Sequence, residues 1–362
     1  MIGGFLGAGK TTAILKLAAY LTGKGKRVGL ITNDQSIDLV DTARVKAAGF
    51  PVEEITGGCF CCKFDSLITA SQVLSRSSAP DVFIAEPVGS CTDLKATVSY
   101  PMRQLYGNDY RVAPLSVMVD PHRVARVLGL TEGAGKFSEK VVYVYRKQLE
   151  EAEILVVNKV DLLDAPMRKR IVEALKQHFP RAEVREVSTV TGEGLNAWFD
   201  RIAGGDLGHE RSMDVDYDVY ADGEALLGWL NTRVHLAAKD EFDGNAFLFN
   251  LAIGLQKQLV AKNIEIAHLK MTLAPDTGPD LGSISLTRSE ERPQATHSLQ
   301  SPVTKGTLVI NLRAEADPDV LKAEVLAAVD TLPVLTAGVE VLAAFRPGRP
   351  TPTHRMAEAV GR

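Results

Sequence analysis

Cysteine is scarce in this chain: Cys59, Cys61, Cys62 and Cys91 are the only four in 362 residues. That excludes a disulfide scaffold. Three of the four nevertheless fall within four consecutive positions, and in a reducing compartment such clustering points to metal or redox chemistry. Positive charge is not in excess either. Lys and Arg number 41 against 45 Asp and Glu, a net charge of −4, so nucleic acid is not the expected partner. No apolar run approaches the length of a membrane span and no signal-peptide pattern opens the sequence, so no membrane association and a cytoplasmic location are expected. The seven histidines form no H-x-H or H-E-x-x-H pattern; His122, two residues after Asp120, is the one that merits inspection. What remains is ordinary globular composition, 45% hydrophobic and 24% charged, with length for two domains.

Val28–Thr32, Val82–Glu86, Leu115–Val119 and Ile154–Val157 are short, β-rich runs apolar on both faces, as strands buried in a parallel sheet require. Helical spacings lie between them, at Ile14, Leu17, Ala18 and Leu21 and at Met167, Ile171 and Leu175. The alternation predicts an α/β doubly wound, mostly parallel sheet over residues 1–202, with ligands at the C-terminal strand ends. Small and polar residues 203–212 read as a linker. Over 213–346 the pattern becomes that of a smaller α+β domain with no legible role. Val215–Tyr220 and Leu226–Leu236 read as extended, Ala246–Val260 as a helix, and Ile266–Leu273, Ser283–Leu286 and Leu308–Leu312 as strands. Asp317 and Pro318 start a last helix, residues 288–306 read as a loop, and the proline-bearing stretch 347–362 as a flexible tail.

Gly4-Phe-Leu-Gly-Ala-Gly9-Lys10-Thr11 matches G-x-x-x-x-G-K-[ST], the phosphate loop of P-loop NTPases. In such a loop the backbone around Gly4, Gly7, Ala8 and Gly9 curls about a phosphate, Lys10 reaches the terminal oxygens and Thr11 ligates Mg²⁺. The helix that continues through Thr12 adds its positive end. Only Met1 and Ile2 precede Gly3, so either the native start lies upstream or the central strand is trimmed. Asn158-Lys159-Val160-Asp161, after a buried strand, is the N-K-x-D pattern that reads guanine, because one carboxylate accepts from N1–H and the 2-amino group together. Ser188 opens a segment that reads either as a second guanine-contacting loop or as a glycine-bearing turn. Glu86-Pro-Val-Gly89 occupies the place of D-x-x-G, with Glu86 beside Mg²⁺ and Gly89 at the γ-phosphate; with Ser90 next and no glutamine there, slow intrinsic hydrolysis is expected.

Cys59, Cys61 and Cys62 offer three soft thiolates suited to Zn²⁺, Cu⁺ or Co²⁺. Three ligands leave one coordination position open, and Cys91, two residues past Gly89, is either structural or a further thiol that closes the site. Asn33, Asp34, Gln35 and Asp38 follow a strand end, where a first switch segment or a solvated loop would lie. Glu53 and Glu54 read as surface charge or as neighbours of the cysteines.

The phosphate loop, the GGCFCC segment, E-x-x-G and NKVD, in this order over residues 3–200, resemble the CobW-like GTPases, which are related to HypB and UreG. The resemblance implies GTP phosphates on Gly7, Gly9, Lys10 and Thr11, guanine on Asn158, Lys159 and Asp161, and a transition metal on Cys59, Cys61 and Cys62. It implies a GTP-hydrolysing metallochaperone that uses GTP, Mg²⁺ and Zn²⁺ or Co²⁺ to serve a client metalloprotein or cofactor-dependent enzyme, either alone or as a homodimer. A GTPase that guards the cofactor loading of a metal- or cobalamin-dependent enzyme is the alternative. A small-molecule kinase fits less well, having no use for N-K-x-D or the cysteines. The chain departs from the family in Pro87 to Leu94 after Glu86, where an extra thiol appears, and beyond about residue 210.

Overall fold

Among the described residues of the first half, seven short strands are formed: β1 (Ile2–Gly4), β2 (Val28–Asn33), β3 (Val52–Ile55), β4 (Val82–Glu86), β5 (Ser116–Val119), β6 (Ile154–Val157) and β7 (Glu183–Glu186). The computed structural model describes residues 1–33, 48–132, 137–206, 208, 211–331 and 336–358, so Asp34, Gln35 and Asp38 lie outside the described residues. All recorded strand pairings here are parallel, in the orders β3-β2-β4 and β1-β5-β6-β7, and β4 lies in contact with β1. Every residue of β1, β2, β5 and β6 is buried, which is why these runs are mainly apolar rather than alternating, with Thr32, Asn33 and Ser116 the polar residues at their ends.

Helices α1 (Lys10–Gly23), α2 (Phe64–Ser77), α3 (Tyr100–Tyr106), α4 (Pro121–Val127), α5 (Glu139–Glu151), α6 (Ala165–His178) and α7 (Leu195–Gly204) cover the faces. Ile14, Leu17, Ala18 and Leu21 of α1 pack with Trp198 and Phe199 of α7 in one core. Phe60, Leu67, Val141, Leu149, Ile171 and Leu175 belong to another. Trp198 is fully buried and donates from Nε1 to Ser116 Oγ at 3.1 Å, tying α7 to β5.

The second half begins with α8 (Tyr217–Leu226) and continues through β8 (Leu227–Phe242), α9 (Gly244–Ala261), β9 (Ile266–Pro275), β10 (Gly282–Leu286), β11 (Gln294–His297), β12 (Val303–Glu315), α10 (Pro318–Asp330) and β13 (Thr336–Phe345). Its strands form one antiparallel sheet in the order β11-β10-β9-β12-β8-β13. The period-two rule divides that sheet. Leu269, Met271, Ile310 and Leu312 enter a core with α9 and α10, while His268, Lys270, Asn311 and Arg313 face the first domain across a shared cavity.

Three sequence expectations are corrected. Val215–Tyr220 is not extended: Asp216 accepts hydrogen bonds from the Asp218 and Val219 amides and starts α8 at Tyr217, the effect of a good N-cap. The supposed loop 288–306 contains β11, whose four residues are all exposed, so its polarity concealed an edge strand, and it also contains the first residues of β12. The stretch after Phe345 runs back along the first domain with Pro347 and Pro350 buried. There the Thr353 amide donates to the Cys61 carbonyl at 2.8 Å, the Met356 amide donates to the Ala96 carbonyl at 2.9 Å, and Arg355 pairs with buried Asp93 at 2.7 Å.

Trp198→Ala removes a large buried ring and orphans Ser116 Oγ. It is expected to destabilise the first domain by about 3–5 kcal/mol, read as a lowered denaturant midpoint; a loss below about 1 kcal/mol contradicts this packing.

Candidate functional site

The phosphate loop hangs between β1 and α1. Gly9 caps α1 with a left-handed backbone, φ 97°, and Gly7 has φ 78°. A side chain at Gly7 would come within 2.7 Å of Thr287 Cβ, an atom of the second domain, so that position needs glycine for space as well as for conformation. Lys10 is buried, with Nζ 2.9 Å from the Gly4 carbonyl and 3.4 Å from that of Phe5. Thr11 Oγ1 donates to Glu86 Oε1 at 2.9 Å, so the loop and the end of β4 bring two oxygen donors together. That donor set suits a hard cation such as Mg²⁺.

The N-K-x-D segment lies at the end of β6. Asn158 Nδ2 donates to the Ala8 carbonyl at 2.9 Å and to Thr189 Oγ1 at 3.2 Å, while its Oδ1 accepts from the Thr189 amide at 3.0 Å. One amide side chain thereby joins the phosphate loop to the Ser188 segment. Ser188 Oγ accepts from the amides of Val190 and Thr191, which shapes that turn. Lys159, in the left-handed region at φ 58°, pairs with Asp120 at 2.8 Å and donates to Thr287 Oγ1 at 3.1 Å. Burial opposes ionisation of Asp120, but the charges of Lys159, Arg288 and Arg123 outweigh it and hold the carboxyl well below its usual range. Asp161 is exposed and lines the same cavity as Gly7, Gly9, Lys10, Thr11, Thr12, Glu86 and Gly89, a space of about 390 Å³. His122 contributes its backbone amide to the Asp120 cap.

The opposite wall comes from the second domain: His268, Lys270, Ser285, Thr287, Asn311 and Arg313. Burial, followed by the positive charges of Lys270, Lys10, Arg313 and Lys159, pushes His268 far below its usual pKa. The imidazole is therefore neutral, and cations from both domains converge on the cavity. No residue of this wall belongs to a recognisable motif, and the sequence carried no signal for it beyond strand alternation.

The cysteines form a second cluster. Cys59 and Cys61 are buried and Cys62 half-buried. Their sulfurs stand 2.7 Å (Cys59–Cys61), 3.3 Å (Cys59–Cys62) and 3.7 Å (Cys61–Cys62) apart, converging as ligands to one ion would. The turn that gathers them is closed by the Cys62 and Lys63 amides donating to the Cys59 carbonyl. Hydrogen bonding with Cys61, then Cys62 and Cys91, draws the Cys59 thiol toward the thiolate. Asn33 at the end of β2 is buried and lines the nucleotide-sized cavity. Its Nδ2 donates to the Ile55 and Gly58 carbonyls at 3.0 and 2.6 Å, gripping the residue before Cys59. Glu53 and Glu54 lie on β3 beside β2.

These features define a P-loop nucleotide-binding protein with a thiol cluster beside its nucleotide cavity. Comparison with known proteins makes the class narrower: the sequence profile of the CobW/HypB/UreG nucleotide-binding domain matches residues 1–186, and the chain belongs to this family. It is a GTP hydrolase. It is similar to the zinc chaperone CobW of Sinorhizobium sp, at 26% identity over 257 residues, 63% of this chain and 72% of that protein. It is also similar to the zinc chaperone YeiR of Escherichia coli (strain K12), at 30% identity over 166 residues, 44% of this chain and 46% of that one. Among solved structures, HypB from Helicobacter pylori in complex with nickel matches with a TM-score of 0.42 and 17% identity over 58% of this chain and 89% of that one. Among the described residues, no helix is long and apolar enough to cross a membrane.

The segment between Glu86 and the π-helical turn at Lys95–Ser99 rests on Glu151 of α5, which accepts from Thr92 Oγ1 at 3.3 Å and from the Lys95 amide at 3.1 Å. Burial is the main cause that raises its pKa to about 8. Because the folded value exceeds the unfolded one, this contribution to stability is complete below about pH 4.5 and is lost as pH rises toward 8. Glu151→Gln is expected to flatten that part of the stability–pH curve in denaturant titrations between pH 5 and 8; an unchanged slope contradicts the assignment.

Proposed function

We propose that this chain is a metallochaperone whose GTP cycle governs the binding and release of a zinc ion on Cys59, Cys61 and Cys62. The observation that carries the reading is that one residue, Asn33, lines the nucleotide cavity and also holds the carbonyl of Gly58, the residue before Cys59. Two zinc chaperones among its relatives support zinc over cobalt as the cargo. A thiolate set accepts either ion, so supply and geometry decide occupancy.

In this reading the amides of Gly4, Gly7, Ala8 and Gly9 and the N-terminal end of α1 at Lys10, Thr11 and Thr12 hold the phosphates. Lys10, Thr11, Glu86 and Gly89 form the hydrolytic end, and Thr11 and Glu86 hold Mg²⁺. When bound, Mg²⁺ neutralises charge on the phosphate oxygens. Lys10 turns its ammonium from loop carbonyls to phosphate, and Gly89 offers a backbone N–H where the γ-phosphate ends. Asn158 keeps the loop and the Ser188 segment in register, Lys159 packs over the base and Asp161 selects guanine. No glutamine follows Gly89, so hydrolysis is slow until a client or a second copy completes the site. The client would be a metalloprotein or cofactor-dependent enzyme, and the protein would act in the cytoplasm.

Asp161→Asn loses the bidentate acceptor and is expected to weaken GTP binding roughly 10–100-fold with little effect on ATP; an unchanged GTP/ATP ratio contradicts the guanine assignment. The variant Cys59→Ala/Cys61→Ala/Cys62→Ala is expected to lose tight zinc binding and to keep GTP turnover. Zinc affinity that survives in this variant overturns the cysteine site.

A further inference from the structure

The face of the second sheet that is turned away from α9 and α10 carries polar side chains although it is buried. Strand register sets Ser285 of β10, Lys270 of β9, Asn311 of β12 and Asn231 of β8 side by side across four adjacent strands. Two positions along the same face, His268 of β9 stands beside Arg313 of β12, and Arg313 beside Trp229 of β8. Asn231, His268, Asn311 and Arg313 are all buried. Polar residues in a buried place mark a surface that meets something polar.

These two rows are rich in donors. Arg313 is fixed in place: Nη1 donates to the Leu230 and Leu312 carbonyls at 2.9 and 3.0 Å, and the guanidinium lies 4.0 Å from the centre of the Trp229 ring. Asn311 Nδ2 donates to Asn231 Oδ1 at 2.9 Å. Asn231 Nδ2 and Trp229 Nε1 have no hydrogen-bond partner among the described residues. Glu291, an acid of the same wall, is engaged by Thr287 Oγ1 at 2.5 Å and by Arg288 at 3.6 Å. Surplus buried donors beside two cations suit a ligand rich in acceptors and negative charge.

The docking of the two domains decides which part of a nucleotide meets this wall. Arg313 pairs with His268 and Ala314 with Ile266, so Ala267 is skipped and forms a bulge in β9. A side chain at Gly7 would come 3.5 Å from the Ala267 carbonyl oxygen as well as 2.7 Å from Thr287 Cβ. Arg123 Nη2 locks this contact, donating to the Ala267 carbonyl at 3.3 Å and to the Thr287 carbonyl at 2.6 Å. From that anchor at the phosphate loop, Lys270 and Arg313 line the cavity with Lys10, Thr11, Glu86 and Gly89. Guanine and ribose carry no charge, and the loop backbone and the end of α1 already cradle the inner phosphates. The anionic group left for an opposite wall is the terminal phosphate.

We propose that Lys270 binds the γ-phosphate of GTP from the second domain, opposite Lys10, with Arg313 as a fixed charge beside it. The inference rests on the phosphate-loop reading given above and deepens it, because it assigns the second domain the task of sensing the terminal phosphate. GTP then bridges the two domains. GDP ends one phosphate short of Lys270 and holds them less firmly.

The test measures, on the full chain with Mg²⁺, the dissociation constants of a non-hydrolysable GTP analogue and of GDP by titration calorimetry. Lys270→Ala is expected to weaken analogue binding roughly tenfold or more and to leave GDP affinity within about twofold of wild type. Lys270→Arg keeps the charge and is expected to recover most of the analogue affinity. If Lys270→Ala does not fold, Lys270→Gln is read in its place. Unchanged analogue binding, equal losses for analogue and GDP, or a loss that Lys270→Arg does not recover each overturns the inference. Lys10→Ala is run as the control and is expected to lose both nucleotides. If it binds both as wild type does, the phosphate-loop reading falls and takes this inference with it; if it loses both while Lys270→Ala behaves as wild type, only this inference falls.

Discussion

The buried hydrogen bond from Thr11 Oγ1 to Glu86 Oε1 fastens the phosphate loop to the end of β4, and both halves of the proposed chemistry lie next to it. On one side are Lys10 and the helix end that attract phosphate. On the other, the chain leaving Glu86 passes Gly89 and reaches Cys91 within five residues, in the core cluster that also holds Cys59 and Cys61. A parallel sheet enforces this meeting, because all its strands end on the same side and the residues that follow β1, β2, β4 and β6 are gathered at one edge. Asn33 follows from the same constraint. It ends β2, the strand between β3 and β4, so it borders the nucleotide cavity and can still reach Gly58. The proposed coupling between the two sites needs no long pathway, because a single amide side chain, Asn33, borders the cavity and reaches the residue before Cys59.

The second domain is part of this arrangement rather than an appendage. Its sheet buries one face against its own helices and turns the other toward the phosphate loop. Thr287 stands against Gly7 and receives a hydrogen bond from Lys159, and Arg123 Nη2 donates to the Thr287 carbonyl at 2.6 Å. Helix α8 packs on α5, while the stretch after Phe345 reaches the Cys61 carbonyl and the Cys62 sulfur. The nucleotide-sized cavity and the thiol cluster are thus both in contact with the part of the chain whose role the sequence leaves blank.

Much of the first domain was legible because its signals are local. Fully buried strands read as apolar runs, the phosphate loop must be glycine-rich to curl, and N-K-x-D sits where β6 ends. The three clustered thiols were legible for the same reason. What escaped depends on contacts between residues far apart in the chain. Asn33 reads as one polar residue among several, yet its importance comes from a carbonyl twenty-five positions on. His268, Lys270 and Arg313 look like polar positions of amphipathic strands, and only the docking of the two sheets shows them facing Lys10. Val215–Tyr220 was misread because apolar and polar residues alternate there, and the single cap at Asp216 outweighs that alternation. The edge strand β11 was hidden because all four of its residues are exposed and only Ala295 is apolar, which leaves no alternating apolar face to read.

The central claim is that nucleotide state sets metal affinity, and the most direct measurement is the zinc dissociation constant of the full chain with a non-hydrolysable GTP analogue, with GDP and without nucleotide. The account predicts a difference of at least about tenfold between the GTP-analogue and GDP states, equivalent to roughly 1.4 kcal/mol of coupling. Equal affinity in all three states would contradict it and leave the cysteines as a static site.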